Sequence, residues 1–247
     1  MHALSASDIL WVWEVGQQKQ STDKALLLLS LAWPSLSPAE LNSLTIGQRN
    51  AHLLLLRKET LGPLANCFAR CPFCGEQLEF TLDTQTMLSF DVPAPGEVSE
   101  PRYAMDVGAY HLSFRVPTCA DLSVAGQATD RQNGRSLLLE RCVIQSLQDR
   151  QTIAVTDLPA EVLQALSGMI IELDPLADTE LTLNCPACQK NWTLYFDIAS
   201  FFWEELNAQA KRLLYDVHAI ASAYGWREKD ILALSSARRR FYLELIR

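Results

Sequence analysis

The sequence predicts an α+β protein that is rich in helix and contains a small β unit. Several segments repeat apolar residues every three or four positions and begin at capping residues, which is typical of amphipathic helices. Two Cys-x-x-Cys motifs are each followed by residues that alternate between apolar and polar, which is typical of a half-buried strand. Apolar residues make up 49% of the 247 positions and charged residues 20%, so the chain is long and apolar enough to bury a core.

Four helices are expected before the first cysteine pair. Prolines, glycines and hydroxyl side chains mark their ends. The predicted helices are one over residues 9–13 that docks through its tryptophans, one over 24–33 capped by Thr22 or Asp23, one opened by residues 37–40, and one that runs from a capping box at 45–48 to Gly62 and Pro63.

The rest of the chain mixes strands and helices. A loop is expected at residues 93–97, a hairpin at 103–116 that turns near 107–109, and a helix cap at 118–121. The predicted helices that follow are one capped by Asp130 that buries Leu138, Cys142 and Leu147; one after Pro159 that buries Val162, Leu166, Met169, Ile170 and Leu173; one over 199–224 with a seam of Trp203, Leu206, Ala210, Leu213, Val217, Ile220 and Tyr224; and two short helices after Gly225, the last capped by Ser235.

The chain divides into six segments that form one integrated domain. They are an N-terminal helical region at 1–66, a first cysteine turn and strand at 67–90, a hairpin and loop insertion at 91–129, a helical region at 130–180, a second cysteine turn and strand at 181–198, and C-terminal helices at 199–247.

The two cysteine motifs form an internal repeat of about thirteen residues. Cys71-Pro-Phe-Cys74 and Cys185-Pro-Ala-Cys188 align without a gap, and so do the three alternating apolar positions and the Asp that closes each copy. Two residues between cysteines let a tight turn direct both sulfurs at one point, and zinc takes four thiolates in a tetrahedron. We therefore expect Cys71, Cys74, Cys185 and Cys188 to bind one Zn²⁺ in a unit of zinc-ribbon type. With every position taken by protein, the ion would be structural.

Two other interpretations of the cysteines stay open. Cys-Pro-x-Cys also occurs in dithiol oxidoreductases, but there a helix and not a strand follows the motif. The pairs could also be buried without metal. Cys67 is either a spare ligand or a small buried residue, and Cys142 is expected in the core. The four histidines stand in no ligand pattern.

Several function classes are disfavoured. The formal charge of −8 repels a phosphate backbone, and Arg238, Arg239 and Arg240 indicate a solvated basic helix face rather than a DNA-reading helix. No phosphate loop, dinucleotide turn or nucleophile elbow is present in the sequence. No secretory signal or membrane span is evident, and seven cysteines argue against a disulfide framework, so a cytoplasmic protein is expected.

Several blocks of the sequence, in this order and spacing, resemble the T-even-like phage baseplate protein family. Residues 88–129 are the least similar. The blocks are Leu-Thr-Ile-Gly-Gln-Arg-Asn-Ala at 44–51, Leu-Leu-Leu-Leu-Arg at 53–57, Leu-Gly-Pro at 61–63, both cysteine pairs, Phe-Asp-Ile at 196–198, and matches at 224–226, 231–235, 238–239 and 242–245.

The resemblance implies a component or assembly chaperone of the baseplate hub of a contractile tail, in a phage or a related injection system. Its expected partners are other hub or tail proteins, and its expected location is the cytoplasm of the bacterial host during assembly or the finished baseplate. The resemblance implies no enzymatic activity. The alternatives are a zinc-ribbon nucleic-acid-binding regulator and a dithiol oxidoreductase.

Overall fold

The protein is α+β, as the sequence predicts, and the described residues form helices and three small antiparallel sheets. The computed structural model describes residues 1–88 and 101–246. The helices are α1 (Ala6–Gly16), α2 (Ser21–Ala32), α3 (Pro38–Ser43), α4 (Ile46–Leu61), α5 (Cys119–Ala125), α6 (Arg131–Cys142), α7 (Ala160–Leu173), α8 (Ile198–Tyr224), α9 (Glu228–Leu232) and α10 (Ser236–Ile246). The strands are β1 (Leu64–Arg70), β2 (Gln77–Asp83), β3 (Tyr103–Val107), β4 (Tyr110–Phe114), β5 (Val143–Gln148), β6 (Gln151–Thr152), β7 (Glu180–Asn184) and β8 (Asn191–Tyr195).

The larger hydrophobic core lies between helices. The N-terminal helices α1, α2 and α4 pack against the first half of α8, which is the longest helix of the described chain. Leucines dominate the contact because they bury much apolar surface at little cost in helix propensity. Fully buried members of this core include Val12, Leu28, Leu29, Leu44, Leu53, Leu56 and Phe202.

The second core lies under a four-stranded sheet. Its strand order is β3-β4-β5-β6, and every neighbouring pair is antiparallel. Gly108, with φ +59°, forms the two-residue turn between β3 and β4, where a positive φ is required. Helices α6 and α7 cover the sheet through Leu139, Cys142, Val162, Leu166 and Ile170, which meet Leu112 and Phe114 of β4.

Helix ends largely follow the sequence signals. Reciprocal capping boxes form at the starts of α3, α4 and α5, where Ser37, Thr45 and Thr118 serve as N-caps. Gly62, with φ +94°, ends α4, and Gly225, with φ +67°, ends α8. These predictions are confirmed, because capping depends on residues that are adjacent in sequence. The predicted loop at 93–97 lies outside the described residues.

Two predictions about helices are wrong, and a third is correct for one of two residues. Helix α2 starts at Ser21, and its N-cap Gln20 makes no side-chain capping bond, so neither Thr22 nor Asp23 serves as the cap. Leu147 lies on β5 and not on a helix, since the chain leaves α6 at Cys142 and pairs with β4. Helix α1 docks through Ile9, Leu10 and Val12. Of its two tryptophans, Trp13 packs against the larger core and donates from Nε1 to Oδ1 of Asn207 on α8 at 2.8 Å, as predicted, while Trp11 is 46% exposed.

The basic run on α10 also differs from the prediction. Arg238 and Arg240 are exposed, but Arg239 is only 6% exposed. Its Nη1 donates to the carbonyl of Leu234 at 2.5 Å, and its Nε lies 3.9 Å from a carboxylate oxygen of Asp216 on α8. A buried guanidinium needs such partners. Arg239 therefore attaches α10 to α8 and does not contribute to a solvated basic face.

Candidate metal centre

Each cysteine pair lies in the turn of a two-stranded antiparallel hairpin. Strand β1 pairs with β2, and β7 pairs with β8. The amide of Cys71 donates to the carbonyl of Glu76 at 2.9 Å, and the amide of Cys185 donates to the carbonyl of Lys190 at 3.0 Å. These two bonds occupy the same place in the two copies. The repeat seen in the sequence is therefore a repeat in the backbone, and it extends to the strand before each pair.

The residue after each second cysteine has a left-handed backbone. It is Gly75 with φ +79° in the first hairpin and Gln189 with φ +61° in the second. Its amide donates to the carbonyl of the first cysteine, at 3.0 Å for Gly75 and 2.8 Å for Gln189. This tight turn directs both sulfurs of a pair to one side. Glycine adopts the conformation without strain, whereas glutamine does so at a cost.

The four sulfurs meet in a single cluster. The Sγ atoms of Cys71, Cys74, Cys185 and Cys188 all lie within 4.8 Å of one another. Across the two hairpins, Cys71 Sγ is 3.7 Å from Cys188 Sγ, and Cys74 Sγ is 3.5 Å from Cys185 Sγ. A tetrahedral ion with bonds of about 2.3 Å to sulfur separates its ligands by about 3.8 Å. The cluster is therefore compatible with a metal site, and zinc at these four residues stays a prediction.

The cluster is shielded from solvent on one side. Cys71 and Cys185 are buried, Cys188 is half-buried and Cys74 is exposed. Burial opposes ionisation of Cys71, yet backbone hydrogen bonds from Cys74 and Phe73, together with bonds to neighbouring sulfurs, lower the pKa of its thiol to about 7.

Cys74 behaves in the opposite way. A backbone hydrogen bond from Glu76 lowers its pKa, but burial and hydrogen bonds with the other three sulfurs raise the pKa to about 12. Four thiolates cannot be held so close together without a compensating positive charge. A cation would therefore release the remaining protons as it binds.

The Asp that closes each repeat has a structural role. Asp83 Oδ1 accepts from the amide of Gln85 at 2.9 Å, and Asp197 Oδ1 accepts from the amide of Ala199 at 3.0 Å. Both carboxylates cap the helical turn that follows their hairpin. Asp197 in this way starts α8, so the second hairpin leads directly into the main helix of the larger core.

A second link joins α4, which precedes the first hairpin, to α8, which follows the second hairpin, and the sequence does not predict it. Arg57 of α4 is 1% exposed. Its Nε and Nη2 donate to the two carboxylate oxygens of Glu205 on α8, at 2.8 and 2.7 Å. Its Nη1 donates to the carbonyl of Gly62, and its Nη2 also donates to the carbonyl of Leu64. The partners are about 150 residues apart in sequence. No spacing rule in the sequence relates them, so the pair is visible only in the fold.

The other cysteines lie outside the cluster. Cys67, Cys119 and Cys142 are buried, and none belongs to the group of sulfurs that could hold a metal. Cys142 packs in the second core, as predicted. Burial raises the pKa of Cys119 and Cys142 to about 11, so both thiols stay protonated and unreactive at neutral pH.

In the described parts of the chain, no helix is both long and apolar enough to cross a membrane. The profile of a family described as T4 bacteriophage base plate protein matches residues 34–203. The matched region includes both cysteine pairs and more than half of the chain. No curated protein and no solved structure matches the chain. The resemblance noted in the sequence is confirmed: this chain belongs to the family of T4 bacteriophage base plate proteins.

Proposed function

We propose that the protein is a zinc-stabilised, non-enzymatic component or assembly chaperone of the baseplate hub of a contractile tail, acting through protein–protein contacts. The observation that carries this proposal is the family match across residues 34–203, which contains the whole four-sulfur cluster. It would act in the cytoplasm of the bacterial host during assembly, or within the finished baseplate. A phage or a related injection system would supply its partners.

The metal has a stabilising role in this proposal. Tetrahedral sets of four thiolates select zinc or iron, and four protein ligands leave no position for a substrate or an activated water. The ion would close a loop of more than one hundred residues between Cys74 and Cys185. It would thereby hold the β1–β2 hairpin against the β7–β8 hairpin and fix where α8 begins.

Metal analysis of the purified protein tests this role. We expect one zinc per chain in the wild type and loss of zinc in Cys74→Ser, because Cys74 is an exposed member of the cluster. Cys67→Ala is the matched control, since Cys67 lies on β1 outside the cluster. Iron in place of zinc would refute the identity of the ion. A wild-type protein that is folded and free of metal would refute the site.

The partner surface is expected on the outer part of the C-terminal helices. The seam of α8 from Trp203 to Leu213 is buried in the larger core, so it is not available to a partner. Further along, Tyr215 is 76% exposed on α8, while Phe241 and Leu245 are 59% and 62% exposed on α10. Exposed aromatic residues are frequent anchors at protein interfaces.

Affinity capture from cells that express the whole tail gene cluster tests the partner proposal. We expect the wild type to recover hub or spike proteins and the double variant Tyr215→Ser, Phe241→Ser to lose them. Ile144→Ser is the matched control, because Ile144 is 45% exposed on β5 of the other core. Equal recovery by both variants would refute the surface.

Two observations disfavour the alternative functions. Arg239 is buried against α8, so the basic run does not form a continuous face for nucleic acid. Each cysteine pair is flanked by strands on both sides, whereas redox motifs place their reactive thiol at a helix N-terminus. Recovery of DNA in the capture experiment, with binding that weakens in salt, would instead favour a nucleic-acid-binding regulator.

A further inference from the structure

A pocket away from the cysteine cluster is lined by a buried arginine. Its volume is about 420 Å³, and it lies where α2, α4 and α5 meet the segments next to β7 and β8. Arg49 and Asn50 of α4 form part of its wall, and Gln20, Ser21 and Thr22 form another part. The volume is typical of pockets that take small ligands or single side chains.

Arg49 carries a positive charge that the described chain leaves incompletely paired. It is 5% exposed. Its Nε and Nη2 donate to Oδ1 of Asn50, at 3.0 and 2.8 Å. Its Nη1 donates to no acceptor of the described residues, and none of their carboxylates lies within ion-pair distance of it. A buried charge normally has an ionic or fully hydrogen-bonded partner, so this guanidinium can accept an anionic ligand.

Neighbouring groups hold the guanidinium in place. Asn50 Nδ2 donates to the carbonyl of Leu176 at 2.7 Å, which fixes the amide that Arg49 contacts. Asp174 interacts with Arg49 through its charge, but its carboxylate accepts a hydrogen bond from the amide of Gly47 at 2.9 Å. Burial raises the pKa of Asp174, while the bond from the Gly47 amide and the charge of Arg49 act against that rise. Asp174 is therefore engaged elsewhere and does not occupy the pocket.

The start of α2 adds further donors to the same pocket. Helix α2 has 12 residues, and its N-cap Gln20 makes no side-chain capping bond. The amides of Ser21 and Thr22 accordingly lack the acceptor that a cap would provide. The dipole of the helix makes this end partially positive, and helix N-termini of this kind bind anions. Asp23 in the first turn offsets part of this positive charge, so the guanidinium is the main feature that favours an anionic ligand.

The pocket also contains two carboxylates, which limits the charge of the ligand. Asp197 uses its oxygens to cap α8, and Asp178 is exposed. Both would repel a doubly charged phosphate more strongly than a singly charged group. A carboxylate with one negative charge can accept two parallel hydrogen bonds from a guanidinium.

We infer that this pocket binds a carboxylate group and that Arg49 is the residue that holds it. In a protein partner, the carboxylate is either an acidic side chain or the C-terminus of the chain. The inference concerns α2 and α4 and does not depend on the metal or on the proposed baseplate role.

Titration of the ¹⁵N-labelled, full-length protein, monitored by NMR, tests this inference. N-acetylglycine mimics a chain terminus, and N-acetylglutamate α-amide presents only a side-chain carboxylate. N-acetylglutamine α-amide is the neutral control. We expect at least one of the two carboxylates to shift the Arg49 Nε–H resonance and the amides of Ser21 and Thr22 with millimolar affinity, and the neutral compound to leave them unchanged. The carboxylate that binds more tightly identifies the source.

Two variants separate a binding role of Arg49 from a structural role. Arg49→Gln is expected to weaken carboxylate binding about tenfold or more. Asp178→Asn removes an exposed negative charge and is expected to strengthen binding about two- to fivefold; it keeps the test valid if Arg49→Gln fails to fold. Asp149→Asn, on the turn between β5 and β6, is the matched control and should have no effect.

Three results would overturn the inference. They are no shift with either carboxylate at the highest soluble concentration, equal shifts with the neutral amide, and tighter binding of inorganic phosphate than of both carboxylates. An unchanged affinity in Asp178→Asn would likewise count against a carboxylate bound in this pocket.

Discussion

Replacing Arg57 by methionine removes the guanidinium that ties α4 and the start of β1 to α8, while it keeps a long unbranched side chain. The wild-type side chain is 1% exposed. It makes four hydrogen bonds of 2.6 to 2.9 Å, two to the carboxylate of Glu205 and two to the carbonyls of Gly62 and Leu64. The variant leaves all four acceptors without this donor.

The expected loss of stability follows from the burial of the ion pair between Arg57 and Glu205. Removing one partner of a buried ion pair costs about 3–5 kcal/mol, because the other charge stays unpaired. Glu205 keeps 23% of its side chain exposed and can be partly solvated, so the lower end of this range applies. We expect a loss of about 3 kcal/mol in the free energy of unfolding. For a chain of this size that corresponds to a fall in Tm of about 6–12 °C.

Urea unfolding followed by circular dichroism, with the metal content matched between samples, measures this loss. Arg212→Met is the control, because Arg212 is an exposed arginine on α8, the helix that carries Glu205, and such changes stay within about 0.5 kcal/mol. The double variant Arg57→Met, Glu205→Leu should recover part of the stability, since no unpaired charge is left. A loss below about 1 kcal/mol in Arg57→Met would refute the reasoning.

Three further predictions concern the metal, pH and packing. Removal of the metal by a strong chelator should unfold most of the chain, because structural zinc supplies on the order of 10 kcal/mol, comparable to the whole stability of a domain; circular dichroism checks this. Burial alone would raise the pKa of Asp121, but hydrogen bonds from Arg115 and other donors hold it well below the ordinary value. Stability should therefore fall as pH drops below about 4, the unfolded pKa of aspartate, and Asp121→Asn should flatten this dependence in urea titrations at several pH values. Gly16→Ala should lower the free energy of unfolding by about 1–3 kcal/mol, since a Cβ there would lie 2.1 Å from the Trp203 ring. Gly168→Ala on α7 meets open space and should raise the free energy of unfolding by about 0.5–1 kcal/mol. Thermal unfolding of both variants measures these changes.

Each of these predictions has a clear contrary result. An unchanged far-ultraviolet spectrum after chelation, with no metal left by elemental analysis, would contradict a stabilising ion. Identical acid-unfolding profiles for the wild type and Asp121→Asn would contradict the assigned proton linkage. Equal stabilities of the two glycine variants would contradict the close packing of α1 on α8.

The sequence predicts the features that depend on neighbours along the chain. Capping boxes at Ser37, Thr45 and Thr118, the glycine at the end of α8 and the turn at Gly108 all form where the residues indicate. The cysteine cluster was also predicted, although its halves are far apart. There the repeat itself carries the information, because two identical half-sites satisfy a tetrahedral ion only when they meet.

Other features have no local signal. Strand β1 was not predicted, since Leu64–Arg70 shows weak alternation and becomes a strand only by pairing with β2. In the same way β5 forms because β4 provides a partner. Sheet pairing adds favourable hydrogen bonds between distant segments, and these override the weak preferences of a short run.

What the sequence by itself determined is the α+β class, most helix ends, the two cysteine turns and the family. Only the tertiary structure decided which charges are buried. Arg57, Arg239 and Arg49 are ordinary arginines in the sequence, yet the fold gives the first a carboxylate, the second a set of carbonyls and the third a pocket. The physical reason is that the energy of a charge depends on its distance from water and from other charges, and both distances are set by segments that meet only when the chain folds.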